Sequence, residues 1–210
     1  MARRNTRERI LETALALFND AGVAQVSTNS IADEAEISPG NLYYHFRSKD
    51  DIVAALFGRY EEAVLATLAV PGERLPDLED TWFFLHTLFE VIAEYRFIYR
   101  NFSDIVEHQQ NLNKRFRAIL DMKAHTAATF IAGLSEAGIM TASTVERAAL
   151  ARNIVVLTTC WLSFARLQPE LYERGPDLAV WQVISLVSPF LRQPERAQLE
   201  RLARSYLRGF

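Results

Sequence analysis

Six side chains between positions 38 and 49 carry chemistry that suits a nucleic-acid surface: Ser38, Asn41, Tyr43, Tyr44, His45 and Lys49. Each can hydrogen-bond a phosphate oxygen or a base edge. They fall in the run Ser38-Pro39-Gly40-Asn41-Leu42-Tyr43-Tyr44-His45-Phe46-Arg47-Ser48-Lys49. The Asn41 amide matches adenine, and Pro39 or Tyr43 can touch a thymine methyl. No arginine or lysine lies between Ser38 and Phe46, so that stretch lacks the forked arginine–guanine contact.

Such side chains need a rigid support. Ser38 is predicted to cap a helix whose first residue is Pro39, since proline has no N–H to waste there and its φ is already helical. That helix must be short, because Ser48 with Asp51 three residues on is a capping box for the next one. A helix of one to two turns does not stabilise itself. Leu42 and Phe46, four apart, form the face by which it is held. Ser27 is predicted to cap a second short helix, Thr28 to about Ala35, with Ile31, Ala32 and Ala35 on its buried side. Two such helices joined by a tight turn make a helix-turn-helix. An amphipathic helix from about Thr6 to Ala21 precedes them, with Ile10, Ala14, Leu17 and Phe18 inward and Gly22 placed as an αL C-cap.

This constellation resembles the TetR/AcrR family of bacterial transcriptional regulators. The matching positions are Thr28, Ile31-Ala32, Ala35, Ile37-Ser38, Gly40, Leu42-Tyr43-Tyr44-His45-Phe46 and Ser48-Lys49-Asp50, within residues 6 to about 56. The resemblance implies that Ser38, Gly40, Asn41 and Tyr43 meet the major groove of double-stranded DNA. It implies that Thr28, Tyr44, His45 and Lys49 meet phosphates. One position departs from the pattern: the family usually has glycine where this chain has Glu36. A non-glycine residue in an αL turn costs roughly 1 kcal/mol.

With 210 residues, half of them apolar, the chain can bury a large core. Its formal net charge of −3 argues against binding nucleic acid through a basic face alone. Local cations (Arg3, Arg4, Arg7, Arg9, Arg47 and Lys49) stand beside acidic Asp33, Glu34 and Glu36, so weak non-specific affinity is expected. The four arginines at the start read either as a solvated tail or as an arm along the backbone or minor groove. A single cysteine, Cys160, fits a reducing cytoplasm and reads as a core residue. No leader and no membrane span are expected.

The sequence carries no strand alternation and no repeat, and the expected fold is all-α. A helix-turn-helix domain is expected over residues 1–50 and a larger helical domain over 51–210, with Pro71-Gly72 and Pro76 ending the joining helix. Asp77 is expected to cap a helix through about Glu94, and a short segment runs from Phe97 to about Gln109. A long helix, Asn113 to Ala137, is closed by Gly138, and Ser143 with Glu146 forms a capping box for the next helix. Pro169 and Gly175-Pro176 break the chain, Pro189 kinks the end of a helix begun at Asp177, and Pro194 opens the last one.

Two C-terminal helices are apolar on more than one face and therefore need more than one neighbour. Burial within their own domain is one reading. The other, preferred here and also implied by the resemblance, is a four-helix interface with a second copy through Val155, Leu162, Val180, Val183 and Val187. The aromatic residues from Trp82 to Phe116 read as core one by one. As a group, Trp82, His86, Phe89, Tyr99, Phe102 and Phe116, with Trp161, are expected to line an apolar ligand site, with Asn101 as a further polar group. Asp104, His108 and His125 do not complete a metal geometry, and neither a metal nor a cofactor is expected.

Three functions compete. A one-component regulator, a repressor in preference to an activator, would bind a palindromic operator as a homodimer and answer to a hydrophobic small molecule. An enzyme would need a phosphate loop, a nucleophile elbow or an acid–base pair, and none is present. An all-α apolar-ligand or protein-interaction module without DNA binding remains the alternative.

Overall fold

The computed structural model describes residues 2–69, 78–100, 110–172 and 175–206. The Pro71–Pro76 boundary, Asp77, Asn101, Phe102, Asp104 and His108 lie outside these residues, as do the side chains of Arg3 and Arg4. The chain is all-α, and it divides into two compact units, Met1–Ala63 with Tyr95–Phe116 and Val64–Glu94 with Arg117–Phe210.

In the first unit, helix α1 (Ala2–Ala21) buries Ile10, Leu11, Ala14 and Phe18 completely. Leu17, expected inward, is half-buried, and Leu11 takes the core position in its place. Gly22 accepts the chain at φ 87°, ψ 153°. This is a glycine-only extended conformation, and it replaces the αL cap expected there. Helices α2 (Thr28–Glu34) and α3 (Pro39–His45) follow. The Ser27 hydroxyl accepts from Ser30 N, and the Ser30 side chain answers the Ser27 N–H, a capping box closed by serine. Ser38 caps α3 through Asn41 N at 3.2 Å. Helix α4 (Lys49–Leu68) starts at the Ser48–Asp51 box, whose two bonds are both 3.1 Å.

The turn between α2 and α3 carries the departure at Glu36. Glu36 N donates to Asp33 O at 3.0 Å and Ile37 N to Ala32 O at 3.0 Å, the paired bonds of a Schellman stop. Glu36 sits at φ 53°, the left-handed region. The same two-bond pattern ends α7 (Gln110–Glu136), where the left-handed residue is Gly138 at φ 70°. One stop therefore uses glycine and the other tolerates glutamate. Left-handed backbone costs an L-residue about 1–2 kcal/mol. Glycine loses about 0.4–1 kcal/mol of that gain by loosening the unfolded chain. Glu36→Gly is thus expected to raise stability by about 0.5–1 kcal/mol. The check is a higher urea midpoint at unchanged slope, and an unchanged midpoint would show that the turn is unstrained.

Helix α6 (Arg96–Arg100) completes this unit: Phe97 packs 5.6 Å from Phe18 and its N–H donates to Asn19 Oδ1 at 3.0 Å. Around it, Tyr60, Tyr95, Tyr99, Phe57 and Phe116 form an aromatic core, with the Tyr60 and Tyr99 hydroxyls 2.5 Å apart. Burial pushes both hydroxyls well above the ordinary phenol pKa. The Arg115 guanidinium forks onto Glu61 and lies 4.9 Å above the Phe57 ring.

The second unit is built on α5 (Leu78–Glu94), most of α7, α8 (Thr144–Arg166), the single turn α9 (Pro169–Tyr172), α10 (Gly175–Val187) and α11 (Gln193–Tyr206). The Ser143–Glu146 box opens α8, and hydrogen bonds from Ser143 hold the Glu146 carboxyl below its usual pKa. Pro189 lies in a 3-10 turn, Ser188–Phe190, that follows α10. Helix α10 packs most extensively on α5 and α8, so both of its apolar faces are used within the unit.

Candidate functional site

The N-terminal site is a short helix held from one side. Leu42 is fully buried and Phe46 nearly so, while Tyr43 and Tyr44 stand 49% and 58% exposed. Ser38, Pro39, Gly40 and Asn41 are exposed, and His45 is half-buried with its ring edge-on to Tyr44 at 5.2 Å. A side chain on Gly40 would meet no atom within 4 Å, and Gly40 does not have positive φ. Nothing inside the chain therefore asks for glycine there. The Tyr43 hydroxyl lies 3.0 Å from Thr28 Oγ1, so two candidate contact residues from different helices hold each other in place. The Arg7 guanidinium covers the Phe46 ring at 5.0 Å.

Lys49 departs from the outward role expected of it. Its ammonium donates to Val23 O at 2.8 Å and Val26 O at 3.0 Å. These carbonyls sit where the chain passes from α1 to α2 and need a donor, so two of the three Lys49 N–H groups serve the fold.

The C-terminal unit holds an apolar cavity that is partly open to solvent. Its wall is built from α5, α7, α8 and α10, with Trp82, Phe84, Phe130, Ile154 and Val183 among its apolar residues. Phe102 lies outside the described residues; of the other six residues expected to line a ligand site, Trp82 borders this cavity. Tyr99 and Phe116 belong to the aromatic core of the other unit, where they pack on Tyr60. Phe89 and Trp161 are buried but do not border the cavity. The His86 ring lies tilted against Trp82 with centroids 5.1 Å apart, and its Nδ1 is 3.8 Å from Asp177.

One wall residue was not anticipated. Lys123 is 3% exposed, lines the cavity, and points its ammonium at Thr158 O over a long 3.4 Å. Burial lowers its pKa to about 7, against a smaller opposing influence of Cys160.

The residues expected at a dimer interface differ in how far they are exposed on the single chain. Val180 and Val183 are buried within the chain, and Val155, Val183 and Val187 face the cavity, while Leu162 is half-exposed. The outer face of α8 is the one left open, with Val145 78%, Val156 57%, Phe164 49% and Leu167 81% exposed. Cys160 lies on that face and is exposed, contrary to a core role. By length and composition α8 is apolar enough to cross a membrane, which the sequence reading did not anticipate. Arg152 and Asn153 interrupt it on the exposed side.

Residues 10–56 match the model for bacterial regulatory proteins of the tetR family, and residues 59–199 match that for TetR, bacterial transcriptional repressor. The chain belongs to the TetR family. A TetR-family transcriptional regulator from Marinobacter aquaeolei VT8 superimposes with a TM-score of 0.87 at 33% identity, covering 95% of this chain and 98% of that one. The repressor KstR2 of Mycolicibacterium smegmatis is 38% identical over 80 residues, which is 34% of this chain and 38% of KstR2. The chain thus matches well under half the length of this curated relative. The fold is also similar to that of SmeT in its triclosan complex, with a TM-score of 0.59 at 20% identity over 90% of this chain and 93% of SmeT. The relatives are transcriptional regulators, and DNA binding is a family-level property.

Proposed function

We propose that this chain is a cytoplasmic repressor that binds a palindromic operator as a homodimer and leaves it when an apolar small molecule fills the cavity. The observation that carries this reading is the exposed polar face of α3 on a helix too short to exist for its own stability. Ser38, Gly40, Asn41 and Tyr43 are assigned to the major groove, with Pro39 beside a thymine methyl. Thr28, Tyr44 and His45 are assigned to phosphates, with the remaining N–H of Lys49. Gly40 supports this assignment, since its missing side chain allows a partner to approach the helix closely.

A dimer offers two such helices to successive major grooves about 34–36 Å apart. A ligand that favours a different dimer geometry shifts the population away from the DNA-binding one. Gel retardation with the DNA flanking its own gene tests the reading. A shifted complex that competitor DNA does not remove is expected. Absence of any specific complex would favour the apolar-ligand module without DNA binding.

The outer face of α8 is the proposed dimer surface, because contiguous exposed apolar residues on one helix face mark an interface. Val156→Asp places an unpaired charge at its middle. Sedimentation at micromolar concentration is expected to show a dimer for the parent chain and a monomer for this variant. A variant that remains dimeric would place the interface elsewhere.

A further inference from the structure

A molecule entering the cavity of the C-terminal unit meets carbon almost everywhere. Three polar residues belong to the wall, Thr81, Lys123 and Thr158, and they turn very little polar surface toward the space. The protein already engages each of them. The Thr158 hydroxyl donates to Val155 O at 3.3 Å, one turn back on its own helix. The Thr158 carbonyl accepts from the Lys123 ammonium at 3.4 Å. Lys123 has a further interaction within the chain, and Thr81 has one as well. Burial also draws the Lys123 pKa down to about 7, toward the uncharged amine. Aromatic rings supply much of the remaining wall, with Trp82 beside Phe84 and Phe130, whose centroids are 4.8 Å apart.

We infer that the cavity takes a neutral lipophile without hydrogen-bonding groups, an arene or aliphatic hydrocarbon, and that it selects by refusing polar groups instead of reading one. This deepens the effector reading above and rests on it. A hydroxyl or amide gives up its water on entry and finds no partner in such a wall, and a charged group gives up more. A hydrocarbon carries no such cost and gains from all the area it removes from water. Exclusion of the wrong compound is a source of specificity equal to attraction of the right one. One consequence separates this cavity from a merely greasy surface. Octanol hydrogen-bonds a dissolved hydroxyl and cyclohexane does not, so the two solvents penalise a hydroxyl differently. The cavity ranks compounds as cyclohexane does.

The test is calorimetry on the full chain with four compounds of similar size: ethylbenzene, benzyl alcohol, benzylammonium and benzoate. Ethylbenzene is expected to bind most tightly. Its advantage over benzyl alcohol is expected to exceed their octanol–water partition ratio by about tenfold or more. Neither ion is expected to bind at millimolar concentration. An advantage no larger than the partition ratio would overturn the inference, because a group in the cavity would then be meeting the hydroxyl, and the apolar-effector reading would stand. Tighter binding of either ion than of ethylbenzene would overturn it too, by showing a site that reads charge. Ala127→Phe, which places a ring at the cavity wall, is expected to abolish ethylbenzene binding. Binding that survives this substitution would put the hydrocarbon elsewhere and overturn the assignment. Failure of all four compounds would remove the apolar-effector reading as well. The comparison among compounds needs no variant and decides the matter even where the substituted chain misfolds.

Discussion

Tyr43→Ala is expected to lower operator affinity by at least thirtyfold while leaving the protein folded. Tyr43 is half exposed, so its truncation opens no core cavity. Its side-chain bond to Thr28 lies at the surface, and a typical hydrogen bond contributes about 0.5–1.5 kcal/mol. On DNA the loss is larger. A base-contacting side chain contributes about 1–3 kcal/mol per half-site. A symmetric dimer loses it twice, about 2–6 kcal/mol, which is thirtyfold to more than ten-thousandfold in Kd. Tyr43→Phe separates two contributions. It keeps the ring that touches a methyl group and releases only the tether to Thr28, so an intermediate loss near tenfold is expected. Fluorescence anisotropy on the operator, with circular dichroism as the folding control, measures both variants. Retained specific binding by Tyr43→Ala would move the groove contact off this residue.

The short helices were readable because their determinants are local. Ser27, Ser38 and Ser48 each satisfy N–H groups within three residues, and Pro39 fixes the start of α3. Leu42 and Phe46 read as the buried face because four-residue spacing alone puts them on one side. Long-range placement was less visible. Aromatic side chains in α6 and α7 look alike whether they fill a core or line a cavity, and Tyr99 and Phe116 proved to fill a core. The choice depends on which helices pack around them, and spacing along one helix does not carry it. The same limit applies to α10, whose two apolar faces left burial within the domain and pairing with a second copy both open, and which packs on α5 and α8.

Lys123 did leave a signal. Ile119, Lys123, Ala127, Phe130 and Leu134 recur at four, four, three and four residues, so the lysine falls in register on the inward stripe of α7. A charge in such a stripe is either a snorkelling surface residue or a site. Only the surrounding helices decide, and here they bury it.

Stability should therefore rise with pH above neutrality, an unusual direction for a protein rich in buried aromatics. Lys123 has a folded-state pKa of about 7 against 10.5 when free. Below pH 7 both states hold the proton and the full cost of the buried charge is present. Between pH 7 and 10.5 the folded chain releases the proton while the unfolded chain keeps it, so the unfolded state binds more protons and stability increases. The gap, 10.5 minus about 7, is about 3.5, and each pH unit is about 1.4 kcal/mol, so the rise is on the order of 4–5 kcal/mol at most. Tyr60 and Tyr99 act in the opposite sense. Their raised pKa values keep them protonated when folded, so stability is lost as pH climbs past the ordinary phenol value near 10. A maximum between about pH 9 and 10 is expected. Urea unfolding at pH 7, 8 and 9 measures the slope. Lys123→Met should be more stable than the parent chain at pH 7 and should lose most of the rise. Parallel curves for the two proteins would mean that the ammonium is not buried in solution.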